Sequence, residues 1–214
     1  MKLKRKVADK AEIKIAVTEV NTKKVSDENS KRGKRAKRKG GQYEREIANK
    51  FQQTYGVELK RTPQSGGFAK KSEKADDYRG DITIVDTKQM LLLHIECKAH
   101  KTLSLKQWLH QAESDCPKGR ISIVVFHRHG TSKDYIALKL NDWYSLISPQ
   151  FFNEDTSKVH YKKWNVFSWF DEISSLYRPL LLLGGDENDY VVGNLDDFLN
   201  AVPKNKVIGK RCFD

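Results

Sequence analysis

The stretch that most narrows the fold is GDITIVDTKQMLLLHIECKAH, residues 80–100. It holds two apolar segments, 81–85 and 90–98, around a short turn at 86–89, and each reads as a strand. Side chains alternate faces along a strand. In the second strand Leu93, Ile95 and Cys97 therefore share one face, and His94, Glu96 and Lys98 share the other. The first set suits a core. The second puts a carboxylate and an ammonium beside buried backbone, where charges need partners or a metal. The turn makes an antiparallel hairpin natural, and pairing across it sets Asp81 opposite His94 to Glu96. Asp81 and Glu96 can then share one divalent cation, and oxygen ligands favour magnesium or manganese over zinc. Lys98, on the same face, could orient an attacking water or stabilise charge developing on a phosphate. His94 could contact water or phosphate there. A buried ion network without chemistry is the competing reading of the same residues.

Around this pair the pattern is helix, three strands, helix, strand. Residues 42–55 repeat apolar Tyr43, Ile47, Ala48, Phe51 and Tyr55 at helical spacing, and Gly56 ends the run. Glu44 lies at the edge of that apolar stripe, so it faces inward, where it could reach a metal directly or through water. An acid in a first helical turn can equally serve the macrodipole. Residues 57–61 read as a short strand and TPQSGGFAKKSEKADDYRG as a long loop. A helix over 104–115 starts at Ser104 and turns Leu105, Trp108, Leu109 and Ala112 to one side. Gln111 on it could reach the site as an outer neighbour, or face solvent. Strands follow at 120–127 and 135–138, then a short helix over 140–147. This order indicates an α/β domain with a mixed β-sheet flanked by helices.

Charge divides the chain unevenly. Residues 1–40 carry fifteen Lys and Arg against five Asp and Glu, whereas the remainder carries twenty-five against twenty-three, within a net charge of +12. The peak is KRGKRAKRKGG, residues 31–41. Such a run repels itself, buries little and suits a polyanion, of which nucleic acid is the common one. A solubilising tail would carry the same charge. The expected organisation is a basic disordered arm over 1–40, with a short strand at 13–20, then a core over 41–148. An aromatic-rich extension over 149–214 completes it, suited to dimerisation or DNA contact. Within that extension Trp164, Phe167, Trp169 and Phe170 suit a core or dimer interface better than base stacking. His127 and His129 read as surface polar groups. DYIALKLNDWYSLI (134–147) and DYVVGNLDDFLNAV (189–202) share a pattern, each after a strand, and read as a degenerate β-β-α repeat or as chance. Three cysteines without paired spacing, and no apolar run long enough for a bilayer, point to a soluble intracellular protein without structural zinc.

YEREIANKF, LKRTPQSGG, GDITI and LLLHIECK, in that order, resemble the PD-(D/E)xK nuclease superfamily, which has a restriction-endonuclease-like core. Within it the chain is most similar to the archaeal-type Holliday junction resolvases, which also occur in viruses. The resemblance covers residues 40–130. It implies that Glu44 is the helix acid, Asp81 the metal-bridging Asp, Glu96 the second metal ligand and Lys98 the catalytic lysine. Arg61 and Ser65 would border the scissile strand. Lys34, Arg35, Lys37 and Arg38 of the arm lie outside the resemblance and are expected on DNA by charge alone. It also implies a homodimer with magnesium-dependent sites, manganese substituting, that nicks two opposing strands of a four-way DNA junction in recombination or repair. Two departures stand out: Gly80 replaces the usual Pro before the Asp, and the loop before it is long. The alternatives are a restriction- or repair-type endonuclease on linear duplex and a non-catalytic nucleic-acid-binding module. The cytoplasm or nucleoid is the expected place, a phage origin being open.

Overall fold

The computed structural model describes residues 2–63, 78–128, 131–147, 160–162, 180–182 and 189–211. The chain divides into two compact units, residues 1–41 and 42–214. One long helix, α1 (Lys2–Tyr55), supplies the first unit and opens the second. The segments read as a disordered arm and a short strand at 13–20 thus lie in helix. Residues 28–39, which hold the densest basic run, are exposed on it. With these side chains exposed, the helicity of the stretch draws on the propensity of Lys, Arg and Ala.

The second unit is a mixed α/β domain. Its elements are β1 (Leu59–Arg61), β2 (Ile82–Ile84), β3 (Gln89–Leu91), β4 (Leu93–His100) and α2 (Leu105–Asp115). Then come β5 (Ile121–Arg128), β6 (Asp134–Lys139), α3 (Leu140–Leu146), β7 (His160–Lys162) and β8 (Leu180–Leu182). The last are β9 (Tyr190–Asn194), α4 (Leu195–Ala201), α5 (Lys204–Val207) and β10 (Ile208–Lys210). Six strands form one sheet in the order β4-β5-β6-β9-β8-β7, with β4–β5 and β7–β8 parallel and the other pairs antiparallel. Two small antiparallel pairs, β1–β2 and β3–β10, flank it.

Helices cover both faces. Tyr43, Ile47, Phe51 and Tyr55 of α1 pack with Leu93, Ile95, Ile123 and Val125 in the main core. On the other face Leu105, Trp108, Leu109 and Ala112 of α2 meet Val124, Phe126, Tyr135 and Val192. Parallel pairing of β4 with β5 requires a crossover connection, and α2 is that connection. Gly56 ends α1 at φ +60, the left-handed conformation that favours glycine just past a helix.

The stretch after residue 148, expected as an extension, supplies β9 to the middle of the sheet and β10 to β3. The β-β-α likeness noted in the sequence has a structural counterpart. In β5–β6 the pairs run Val124↔Ala137, Val125↔Ile136 and Phe126↔Tyr135; in β8–β9 they run Leu180↔Val192, Leu181↔Val191 and Leu182↔Tyr190. Each β6 residue matches the β9 residue 55 positions on, and Ala137 pairs with its own counterpart Val192. A local two-fold axis therefore passes between β6 and β9, with β4-β5-β6 on one side and β7-β8-β9 on the other. Beside the axis the rings of Trp143 and Phe198, equivalent positions on α3 and α4, pack 5.7 Å apart.

The symmetry breaks where volume is traded. Trp143 is larger than Phe198, and the position that mirrors Leu138 is Gly193. A Cβ on Gly193 would stand 2.7 Å from the Trp143 ring. The indole is fully buried and has nowhere to retreat. Gly193→Ala is expected to destabilise the domain by about 1–3 kcal/mol, read from urea denaturation. Adding Trp143→Phe, which trims the ring, should leave the double variant more stable than the sum of the two single losses; strict additivity would refute the coupling.

Candidate nuclease active site

The site is built around the edge of β4. One edge of this strand ladders with β5. On the other, the Asp81 backbone N–H donates to the Ile95 carbonyl at 2.8 Å, and the Cys97 N–H donates to Asp81 Oδ2 at 2.8 Å. Asp81 thus completes two of β4's backbone bonds, one with its own backbone and one with its carboxylate. It is held from behind, where Thr62 N–H donates to the Asp81 carbonyl at 2.8 Å as β1 and β2 pair. The expected neighbour of Asp81, His94 to Glu96, is the one observed. The route differs: the chain passes through β3, which pairs with β10, rather than making a simple hairpin.

Glu96 and Lys98 project from β4 toward α2. Lys98 Nζ lies 3.0 Å from Glu96 Oε2 and donates to the Gln111 side-chain carbonyl at 3.4 Å. This ion pair is nearly out of solvent, with 16% and 10% of the two side chains exposed. Glu44 comes from α1, on the opposite face of β4, and its carboxylate pairs with the Arg61 guanidinium. Burial, followed by the Glu96 carboxylate, pushes the Asp81 carboxyl up to about 7; Glu44 adds to the rise and Lys98 opposes it. Three acids therefore act on one locus. The Cys97 thiol, half-buried beside them, is held well above its usual range by desolvation and then by Asp81.

His94 occupies the same face as Glu96. Its side chain is 0% exposed, and its Nε2 stands 4.0 Å from Glu96 Oε1. Burial drops its pKa to about 4, so the ring is neutral and the contact is no ion pair. Neither ring nitrogen has a hydrogen-bond partner among the described residues, a cost of about 1–3 kcal/mol for each group left unmet. Gly80 makes the room: at φ +81, an added Cβ would lie 3.1 Å from His94 Nδ1 and 3.1 Å from the Ile95 carbonyl oxygen. Proline, with φ fixed near −65°, could not adopt that conformation.

Lys34, Arg35, Lys37 and Arg38 are exposed on α1 in the first unit. Ser65, His129 and the aromatic cluster at 164–170 lie outside the described residues. Sequence reasoning placed His127 on the surface. Its Nδ1 lies 3.0 Å from Asp134 Oδ1, and Asp134 also receives the Tyr43 hydroxyl at 3.2 Å and the Lys50 ammonium at 2.9 Å. That network joins α1 to β5 and β6. Its members are separated in sequence by up to 91 positions, so no local pattern could reveal it.

Among the described residues no three His, Cys, Asp or Glu side chains form a ready metal cluster, and no helix is long and apolar enough to cross a membrane. The carboxylates of Asp81 and Glu96 are the oxygen donors a divalent cation would use. Such an ion would offset their mutual repulsion, and the orphaned imidazole borders the same place. A family model described as "Phage putative PDDEXK endonuclease" matches residues 35–182. Comparisons with curated proteins and with solved structures give no match.

The burial of Asp81 and its acidic neighbours predicts a trade between stability and function. Asp81→Asn keeps an acceptor for the Cys97 N–H and removes a disfavoured charge. Its stability in EDTA at pH 8 should equal or exceed the parent's by up to about 1 kcal/mol. Asp81→Ala orphans that N–H and should cost about 1–3 kcal/mol. Equal denaturation midpoints for the two variants would contradict this account of the β4 edge.

Proposed function

Because the chain belongs to the phage PDDEXK endonuclease family, we propose that it is a magnesium-dependent endodeoxyribonuclease that resolves branched DNA, four-way junctions above all. Manganese is expected to replace magnesium. The observation that carries this reading is the meeting of Asp81, at the edge of β4, with the buried Glu96–Lys98 pair projecting from that strand, under the influence of Glu44. Asp81 and Glu96 would hold the cation, which when bound neutralises phosphate charge and activates water.

The protein's own groups divide the remaining work. The Lys98 ammonium, anchored by Glu96 and the Gln111 carbonyl, is placed to orient the attacking water and to meet negative charge as it develops on the phosphate. Arg61 is one-third exposed, so an arriving phosphate competes with Glu44 for its guanidinium. Low exposure keeps these charges from being screened. Lys34, Arg35, Lys37 and Arg38 contribute phosphate contacts that add affinity without reading sequence. The order of motifs and this sequence-blind basic surface support a substrate recognised by shape. Cutting two opposing strands needs two sites. The described residues contain one set of Asp81, Glu96 and Lys98, so a homodimer supplies the second.

The test is a labelled four-way junction beside a matched linear duplex, each with magnesium or with EDTA. Paired nicks in the junction alone, only with magnesium, are expected. Cleavage of the duplex would replace this reading with a restriction- or repair-type nuclease, and shifted but uncut DNA would replace it with a binding module. Asp81→Asn and Glu96→Gln should lose cleavage by at least about a thousandfold while keeping or strengthening junction binding, because a negative charge near phosphate is gone. Retained cleavage would remove them from the site. Deleting residues 1–40 should weaken DNA binding and flatten the plot of log Kd against log salt by about 0.9 for each phosphate that the basic helix no longer neutralises. An unchanged slope would take that helix off the DNA.

A further inference from the structure

His94 is the buried polar group at this site that the hydrolytic reading leaves without work. Its side chain has no exposure, so bulk water does not satisfy it. Both ring nitrogens lack partners among the described residues. Its position is enforced on two sides. Nδ1 lies against Gly80, whose missing Cβ makes the space. Nε2 looks toward Glu96 Oε1 at 4.0 Å, while the other Glu96 oxygen is taken by Lys98 at 3.0 Å. The oxygen that Lys98 leaves to another partner is therefore the one that faces the imidazole. Ligand bonds of about 2.1 Å place two donors of one cation roughly 3.0–4.2 Å apart. The separation of Nε2 from Oε1 falls within that span, whereas a direct hydrogen bond would need an approach of about 1 Å more.

We propose that His94 Nε2 is a nitrogen ligand to the divalent cation held by Asp81 and Glu96, making this a mixed nitrogen–oxygen site that favours manganese or cobalt over magnesium. The inference rests on the reading of Asp81 and Glu96 as metal ligands. The chemistry is that of donor softness. Magnesium prefers oxygen donors and keeps its waters, whereas imidazole gains most with later divalent ions. Gly80 then has a purpose: it admits the ring that a residue with a side chain would displace.

The test is metal binding by the full chain without DNA, using manganese and magnesium alone. Manganese bound to the parent protein should show the pulsed electron-spin coupling of a directly attached nitrogen, a measurement that needs no variant. His94→Leu should remove that coupling and weaken manganese binding by about tenfold or more, with magnesium binding changed less than about threefold. A thermal melt shows whether His94→Leu is folded; if it is not, the nitrogen coupling in the parent alone decides. Glu96→Gln separates the two readings. If it abolishes manganese binding and the parent shows no nitrogen coupling, the acids hold the ion and His94 does not, which overturns only this inference. If Glu96→Gln binds manganese as the parent does, the ion is elsewhere, and the assignment of the acids falls together with that of His94.

Discussion

An edge strand with unpaired backbone groups is a liability, and this fold closes the edge of β4 with an acidic residue of the candidate site. The Cys97 N–H and the Ile95 carbonyl are both satisfied by Asp81. The carboxylate is therefore fixed by main-chain geometry rather than by side-chain packing, which gives it a defined place even though burial and its neighbours disfavour its charge. Everything else at the site is referred to that fixed point. Glu96 and Lys98 follow from the alternation of β4, Glu44 from the inward stripe of α1, and Arg61 from the pairing of β1 with β2.

Much of this was legible because it is local. Alternation in LLLHIECK alone assigns Leu93, Ile95 and Cys97 to the core and His94, Glu96 and Lys98 to the other face, and the structure packs them so. The stripe of Tyr43, Ile47, Phe51 and Tyr55 identified the helix that covers the first face. What escaped was long-range. Residues 190–194 read as part of an extension because nothing in their sequence says that their partner is β6, 55 positions earlier. Ser65 was assigned to a segment that lies outside the described residues. Gly80 looked like a loosened motif, yet its positive φ and its contact with His94 show a position where glycine is required.

The electrostatics of the site run against the stability of the domain. Three acids act on one buried locus, offset by Lys98 on Glu96 and by Arg61 on Glu44. An arrangement of this kind is retained where a cation or a phosphate completes it, since a fold seeking stability alone would replace such charges with apolar groups. The main core supplies the margin. It runs from α1 across the sheet to α3 and α4, without a break between the strands that bear the site and those that do not.

The two-fold axis between β6 and β9 also bears on how the chain is assembled. Strands β4, β5 and β6 with α3 precede the axis in sequence, and their rotational counterparts β7, β8, β9 and α4 follow, so the join must wait until residues 190–194 exist. Until then β6 offers Tyr135, Ile136, Ala137 and Leu138 along an open edge, the kind that recruits another strand. Because β9 mimics β6 in register, the nearest substitute for the missing strand during synthesis is β6 of another nascent copy. Exchange of halves between chains is thus the misassembly that this architecture must outrun as it folds.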